Sequence, residues 1–195
     1  MPWLLNEILS QVTPEWRYVF DPKPPVAFRS LDFVPTEEQL RIPIRIKLDE
    51  KCDKIGDYLR APDGAYNVIV SKAFKEIIDA HDPEPHYYMP VDIEHPDGHM
   101  DSGTHFLFKM GKFIDDALIV EESVKVKKHP RFDVYQSLSA TPSLMWRGSK
   151  VAGRHIWADS RLEHRVVVSD EVMTEIRAQD LSGYVAKESR INSAK

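Results

Sequence analysis

Proline fixes φ and cannot donate to a backbone ladder, so its placement limits this chain more than any other feature. Of 14 prolines, 12 lie at or before Pro96, and Pro22, Pro24, Pro25, Pro35, Pro43 and Pro62 puncture the first third. Residues 1–64 therefore read as an irregular, Pro-rich N-terminal lobe packed on a domain of residues 65–195. Within the lobe, Trp3, Leu4, Leu5, Ile8, Leu9 and Val12 have helical spacing, which predicts a short amphipathic helix ending at Pro14. Thr36-Glu37-Glu38-Gln39 fits a capping box at the head of a brief helix. Ile42, Ile44, Ile46 and Leu48 alternate with Pro43, Arg45 and Lys47, the pattern of an edge strand.

Beyond the turn signal Pro62-Asp63-Gly64 the pattern changes. Val68-Ile69-Val70 is a β-branched run, and Ser71 caps a helix with Phe74, Ile77 and Ile78 on one face. Val166-Val167-Val168 followed by Ser169 repeats the arrangement, with Val172, Met173 and Ile176 inward and Gly183 as the C-terminal stop. Both units read Val-x-Val-Ser-x-x-apolar-x-x-x-Ile, displaced by 98 residues. Strand-serine-helix is a common local solution, so the repetition is expected to be local chemistry rather than duplication. Strand-like stretches run through residues 86–93, 104–110, 117–127 and 151–157, interrupted at Pro96-Asp97-Gly98, Met110-Gly111-Lys112 and Ala152-Gly153-Arg154. The expected class is α+β, with a mixed or mainly antiparallel sheet and two flanking helices.

Composition excludes several functions. A single cysteine, Cys52, rules out a disulfide scaffold and any CxxC metal or redox motif. A net charge of −5 argues against a nucleic-acid binder, whose domains are strongly basic. Met-Pro-Trp-Leu-Leu-Asn-Glu does not resemble a secretory signal, and no apolar run approaches a membrane span, so a cytoplasmic location and no membrane partner are expected. Neither GxSxG nor a Gly-rich phosphate loop is present, and N-capping accounts for Ser71 and Ser169.

Three clusters carry potential chemistry. His95, His99, Asp101 and His105 offer metal donors for a small hydrolase. However, Pro96 and Gly98 make their segment a turn, so a polar hairpin tip is the simpler reading and no metal is assigned. Arg147, Lys150, Arg154 and His155 lie near Trp146 and Trp157, the ingredients of a single-strand nucleic-acid platform, but blocks this short are usually solvated surface and no direct nucleic-acid contact is expected. Lys125, Lys127, Lys128, His129 and Arg131 read instead as the solvated face of a half-buried strand. Asp115, Asp116, Glu121 and Glu122 flank Ala117-Leu118-Ile119-Val120 and either face a basic partner or solubilise an edge strand.

From Tyr66 onward the chain resembles a family of bacterial immunity proteins from polymorphic-toxin loci, the one numbered eleven. Val68 to Ile78 matches its strand and first helix, and His86-Tyr87-Tyr88-Met89-Pro90-Val91 its aromatic-x-Pro-Val strand. Phe106 through Asp115-Asp116 to Glu121-Glu122-Ser123 is similar to its acidic-x-Ser block. Gly153 to Trp157 and Val168-Ser169-Asp170-Glu171 to Tyr184 are similar to its closing strand and helix. The resemblance covers roughly residues 66–186. It implies a non-enzymatic protein, without cofactor or catalytic residues, that binds and neutralises a toxin made beside it.

A neutralising surface needs apolar or aromatic anchors within a charged rim. Asp115, Asp116, Glu121 and Glu122 are the preferred partner-binding residues, because a toxin acting on phosphates, such as a nuclease, presents cations for them to match. The His95–His105 turn with Tyr87 and Tyr88 is the second candidate.

Overall fold

The fold is taken from a computed structural model that describes residues 1–7, 18–21, 33–50, 55–60, 68–82, 85–130, 134–137, 142–162 and 166–193. It is α+β. A six-stranded sheet has the order β2 (Tyr18–Phe20), β3 (Ile44–Leu48), β6 (Tyr87–Glu94), β7 (Met100–Lys109), β5 (Val68–Ser71), β4 (Tyr58–Arg60). A four-stranded sheet has the order β11 (Ile156–Trp157), β12 (Val166–Val168), β1 (Trp3–Glu7), β13 (Tyr184–Glu188). Helices α1 (Lys72–His81) and α3 (Asp170–Ala178) lie against each other and share one core with the inner faces of both sheets. A single helical turn, α2 (Gly148–Val151), follows β10 (Met145–Arg147), which pairs with β14 (Arg190–Asn192). A small hairpin joins β8 (Val126–Lys128) to β9 (Tyr135–Ser137).

Both long helices begin as their sequences require. Ser71 Oγ accepts the Phe74 N–H at 3.2 Å and Ser169 Oγ the Val172 N–H at 3.3 Å, each satisfying a donor that the first turn leaves open. Phe74, Ile77 and Ile78 from α1 and Val172, Met173 and Ile176 from α3 are buried between the sheets. The stop of α3 differs from expectation. Asp180 takes φ +54°, its N–H reaches the Arg177 carbonyl, and the Leu181 N–H reaches that of Ile176, a Schellman closure made by an aspartate. Gly183 (φ +90°) serves a different purpose. A Cβ there would come within 2.5 Å of the Tyr58 carbonyl, so glycine lets the chain pass β4 on its way into β13.

The two strand-serine-helix units are not a local coincidence. Tyr58↔Val70 and Leu59↔Ile69 recur as Ile156↔Val168 and Trp157↔Val167, every residue displaced by 98. The Ser71 N–H bonds the Asp57 carbonyl as the Ser169 N–H bonds that of His155. Parallel pairing of Ile46 with Ile93 recurs as Trp146 with Ile191, and the antiparallel contact Phe20↔Ile46 recurs as Leu118↔Trp146. On β7, Phe106, Leu107 and Phe108 sit between β5 and β6. On β1, Trp3, Leu4 and Leu5 sit between β12 and β13 in the same register. The chain is thus two copies of one arrangement whose opening strands are exchanged. β1 opens the first copy but completes the sheet of the second, and β7 opens the second but completes that of the first. Outside the shared core each copy has its own outer core. Phe20, Ile46, Leu59, Ile69 and Leu107 in one correspond to Leu118, Trp146, Trp157, Val167 and Leu4 in the other.

Several local expectations are corrected. Trp3–Glu7 is a strand, not the start of a helix; Leu4 and Leu5 are both fully buried, one in each core, so the run lacks the alternation of a half-exposed strand. Positions 8–17 lie outside the described residues. β3 is not an edge, being flanked by β2 and β6, although Ile46 and Leu48 point inward and Arg45 and Lys47 outward as its alternation requires. The 117–127 stretch makes only the isolated bridges Leu118↔Trp146 and Val124↔Ser143, on either side of a 3-10 turn at Val120–Glu122, and only Val126–Lys128 is a strand. In 151–157, α2 and a turn at Gly153 (φ +72°) leave a strand of two residues. The capping box does form. The Thr36 N–H donates to Gln39 Oε1 at 2.9 Å and the Gln39 N–H to Thr36 Oγ1 at 3.3 Å, opening a single 3-10 turn at Gln39–Arg41.

Candidate interaction surface

The acidic segment is held from beneath and open above. Ala117, Leu118 and Ile119 are buried, Ala117 and Leu118 in the second copy's outer core, while Asp115, Asp116, Glu121 and Glu122 are exposed. The segment is fixed on one side by β10, where the Ile119 N–H bonds the Met145 carbonyl and the Arg147 N–H that of Ala117. On the other side the Ile114 N–H bonds the Ala158 carbonyl and the Ser160 N–H that of Ile114. Asp116 takes φ +58°, a left-handed conformation that aspartate tolerates, and this turns its carboxylate toward the arginines.

Arg161 is the centre of this local structure. Asp159, almost wholly buried, accepts the Leu118 N–H at 2.6 Å, the Arg161 N–H at 2.8 Å, and the Arg161 guanidinium at 3.1 Å through both oxygens. Arg161 in turn donates to the Leu118 carbonyl at 3.0 Å and pairs with Asp116 at 3.1 Å. The bonds from Asp159 push the guanidinium pKa above its ordinary value, with the nearby charges of Asp159 and Asp116 acting in the same direction against partial burial. A guanidinium meets a carboxylate edge-on with two parallel bonds, which a lysine cannot do.

The four carboxylates are therefore not equivalent. Asp116 is shared between Arg161 and Arg147 (3.4 Å), and Asp115 accepts the Ser160 hydroxyl at 2.5 Å. Glu122 accepts the Asn192 amide at 3.1 Å, which ties the 3-10 turn to β14. Glu121 projects from the same turn into solvent. Asp116 is matched by the chain's own arginines and Asp115 by a hydroxyl, and Glu121 and Glu122 offer the more available negative charge.

The histidine turn is brought together only in part. Asp101 joins His95 at 2.8 Å and His99 at 3.0 Å across the β6–β7 hairpin, and these bonds hold its carboxyl below the usual carboxylate range. His105 points elsewhere, its Nε2 on the Gly56 carbonyl at 3.2 Å and its pKa pushed below 6.5 by burial. Among the described residues no group of three or more His, Cys, Asp or Glu side chains is arranged to hold a metal. Tyr87 and Tyr88 stand at the far end of β6, opposite Lys109 and Phe108, so they do not adjoin the turn as supposed. The nucleic-acid platform is also corrected. Trp146 and Trp157 are 0% and 2% exposed and stack edge to face at 6.1 Å inside the outer core, with no face free for a base. Cys52 and Arg131 lie outside the described residues.

The family profile of the immunity protein family Imm11 matches residues 15–189. The chain belongs to the Imm11 immunity protein family. The match reaches back through most of the segment before Tyr66, well beyond the 66–186 span of the resemblance, and so takes in most of both structural copies, short of β1 and β14. A search of curated proteins returns no match. Membership assigns an immunity role and a toxin as the partner class. No helix among the described residues is long and apolar enough to cross a membrane.

Sequence reasoning missed Asp159 and Arg161, because Ala158-Asp159-Ser160-Arg161 has no spacing that distinguishes it from any polar turn. It also missed a groove of about 650 Å³ beside α2.

Proposed function

We propose that this immunity protein neutralises a cognate bacterial toxin, delivered by secretion or cell contact, by binding it in the cytoplasm of the producing cell and covering its active site or substrate surface. The match to an immunity family across residues 15–189 carries this reading. Binding rather than catalysis suits the site. Its polar groups are committed to holding a loop in place.

Asp115, Asp116, Glu121 and Glu122 are the proposed partner contacts, and a basic toxin such as a nuclease is the proposed target. The pinned loop favours this, because charges held in place lose less entropy on binding than charges on mobile chains. Complementary charge acts chiefly on the association rate. The function is tested by co-expressing the protein with the toxin encoded beside it. Growth should be restored, and failure to restore it contradicts the proposal. The face is tested by reversing all four charges. Association should slow by about tenfold or more at low salt and less at high salt, as expected of steering. An unchanged rate with intact circular dichroism removes this face.

A further inference from the structure

We propose that the groove beside α2 is a docking site for one leucine- or isoleucine-sized side chain of the toxin, carried next to a basic residue. This rests on the immunity reading and deepens it.

The argument comes from comparing the two copies. The groove has a volume of about 650 Å³, with Trp157 and Val151 among its lining and with Met1 and Ile191 beside them, 68% and 42% exposed. The counterpart of Ile191 in the first copy is Ile93, at the same place in the parallel ladder and 1% exposed. Ile93 is sealed by its own chain. Leu48 shares its cluster, and Ile55, Leu40 and Phe33 pack against it. The same displacements place Gly148 where the first copy has Leu48, and Gly153 where it has Ile55. At Gly148 a Cβ would come within 2.9 Å of the Asn192 carbonyl and 3.1 Å of Ile191, so the chain itself closes that position, whereas at Gly153 a Cβ would meet nothing within 4 Å and the space that Ile55 takes in the first copy stays open. A position that the first copy fills with an isoleucine and the second leaves open is complementary to one aliphatic side chain of that size.

The charge around the groove selects the neighbour. Asp170 is engaged by the Trp3 indole at 2.8 Å and lies 3.9 Å from the Met1 ammonium, and exposed Glu171 is held by the Ser169 hydroxyl and its own backbone N–H, so with Arg154 also in the lining the groove itself is close to charge balance. Asn192, adjacent to Ile191, holds Glu122 at 3.1 Å, so the groove and the acidic 3-10 turn form one surface. An apolar anchor adjoining the exposed Glu121 and Glu122 of that turn matches an aliphatic residue flanked by lysine or arginine.

Calorimetric titration of the full-length protein with its cognate toxin tests the proposal. Ala152→Trp and Ser149→Trp change exposed lining residues and narrow the groove, and Ile191→Asp places a charge at its margin. Each should weaken binding by about tenfold or more while circular dichroism is unchanged. Val34→Asp, an exposed apolar position of the first copy, should bind as the parent does. The two tryptophan variants retain the test if Ile191→Asp unfolds. If the parent protein does not bind the toxin, the immunity reading fails. If the parent binds and the tryptophan variants keep its affinity, the groove proposal is overturned and the immunity reading stands.

Discussion

The outer cores of the two copies share a strand register but are closed in different ways. In the first, the 3-10 turn Gln39–Arg41 packs on β6, and Leu48 and Ile55 complete an aliphatic cluster from the chain's own residues. In the second, two tryptophans replace Ile46 and Leu59, Trp146 gains a hydrogen bond to Ser189 at 3.0 Å, and glycines stand where Leu48 and Ile55 would be. The result is a rigid aromatic floor beside an open groove, next to a loop of carboxylates pinned by Arg161. On the reading proposed above, the same arrangement is sealed by its own chain in one copy and left open to a partner in the other.

The sharpest way to break this comparison is at the paired core positions. Trp146→Ala should cost about 3–5 kcal/mol in urea denaturation, and Ile46→Ala about 2–5. Equal, small losses would mean that the aromatic floor is not a structural element of the second copy. Next in size is Asp159→Ala, which strands Arg161 and the Leu118 N–H and should cost about 3 kcal/mol. Hydrogen exchange of 115–119 should accelerate with it, and unchanged exchange there would remove Arg161 and Asp159 from the account of the loop. The caps sharpen the equivalence itself. Ser71→Ala and Ser169→Ala should each cost about 1 kcal/mol and agree with each other within a few tenths.

The smallest expected effect depends on pH. His105 lies at the β7 position that corresponds to Pro2 on β1, so only the first copy can show it. Burial lowers its folded pKa below the 6.5 of the unfolded chain, which makes the unfolded state the better proton binder below that value. Stability is full above pH 6.5 and declines as pH falls toward and through the folded pKa. His105→Gln keeps a donor for the Gly56 carbonyl and should flatten the change between roughly pH 7.5 and 5.5. An identical slope in parent and variant would assign the decline to other groups.

What the sequence revealed follows from how local each feature is. Ser71, Ser169 and the apolar faces of α1 and α3 could be read directly, because capping and helical periodicity act within one turn. β1 could not, because a strand buried on both faces carries adjacent apolar residues, and Leu4-Leu5 within a longer apolar run imitates a helix. The duplication was visible only at Val-x-Val-Ser. Elsewhere the copies share register rather than residues, with Met89 answered by Lys187 and Ile46 by Trp146, and their first strands are exchanged, so equivalent neighbours lie far apart in sequence. The acidic segment was legible as four charges in eight residues. That Asp115 and Asp116 would be drawn toward Ser160, Arg147 and Arg161 was not, because those partners come from β10 and from the turn after β11.

Hydrogen exchange on the complex with the cognate toxin tests most directly the claim that the second copy carries the partner surface. Protection on binding should appear at 115–123, 148–154 and 190–193, and be absent from 39–48 and 87–94, the sealed counterpart in the first copy. Protection confined to the first copy, with none around the acidic loop or the groove, would contradict it.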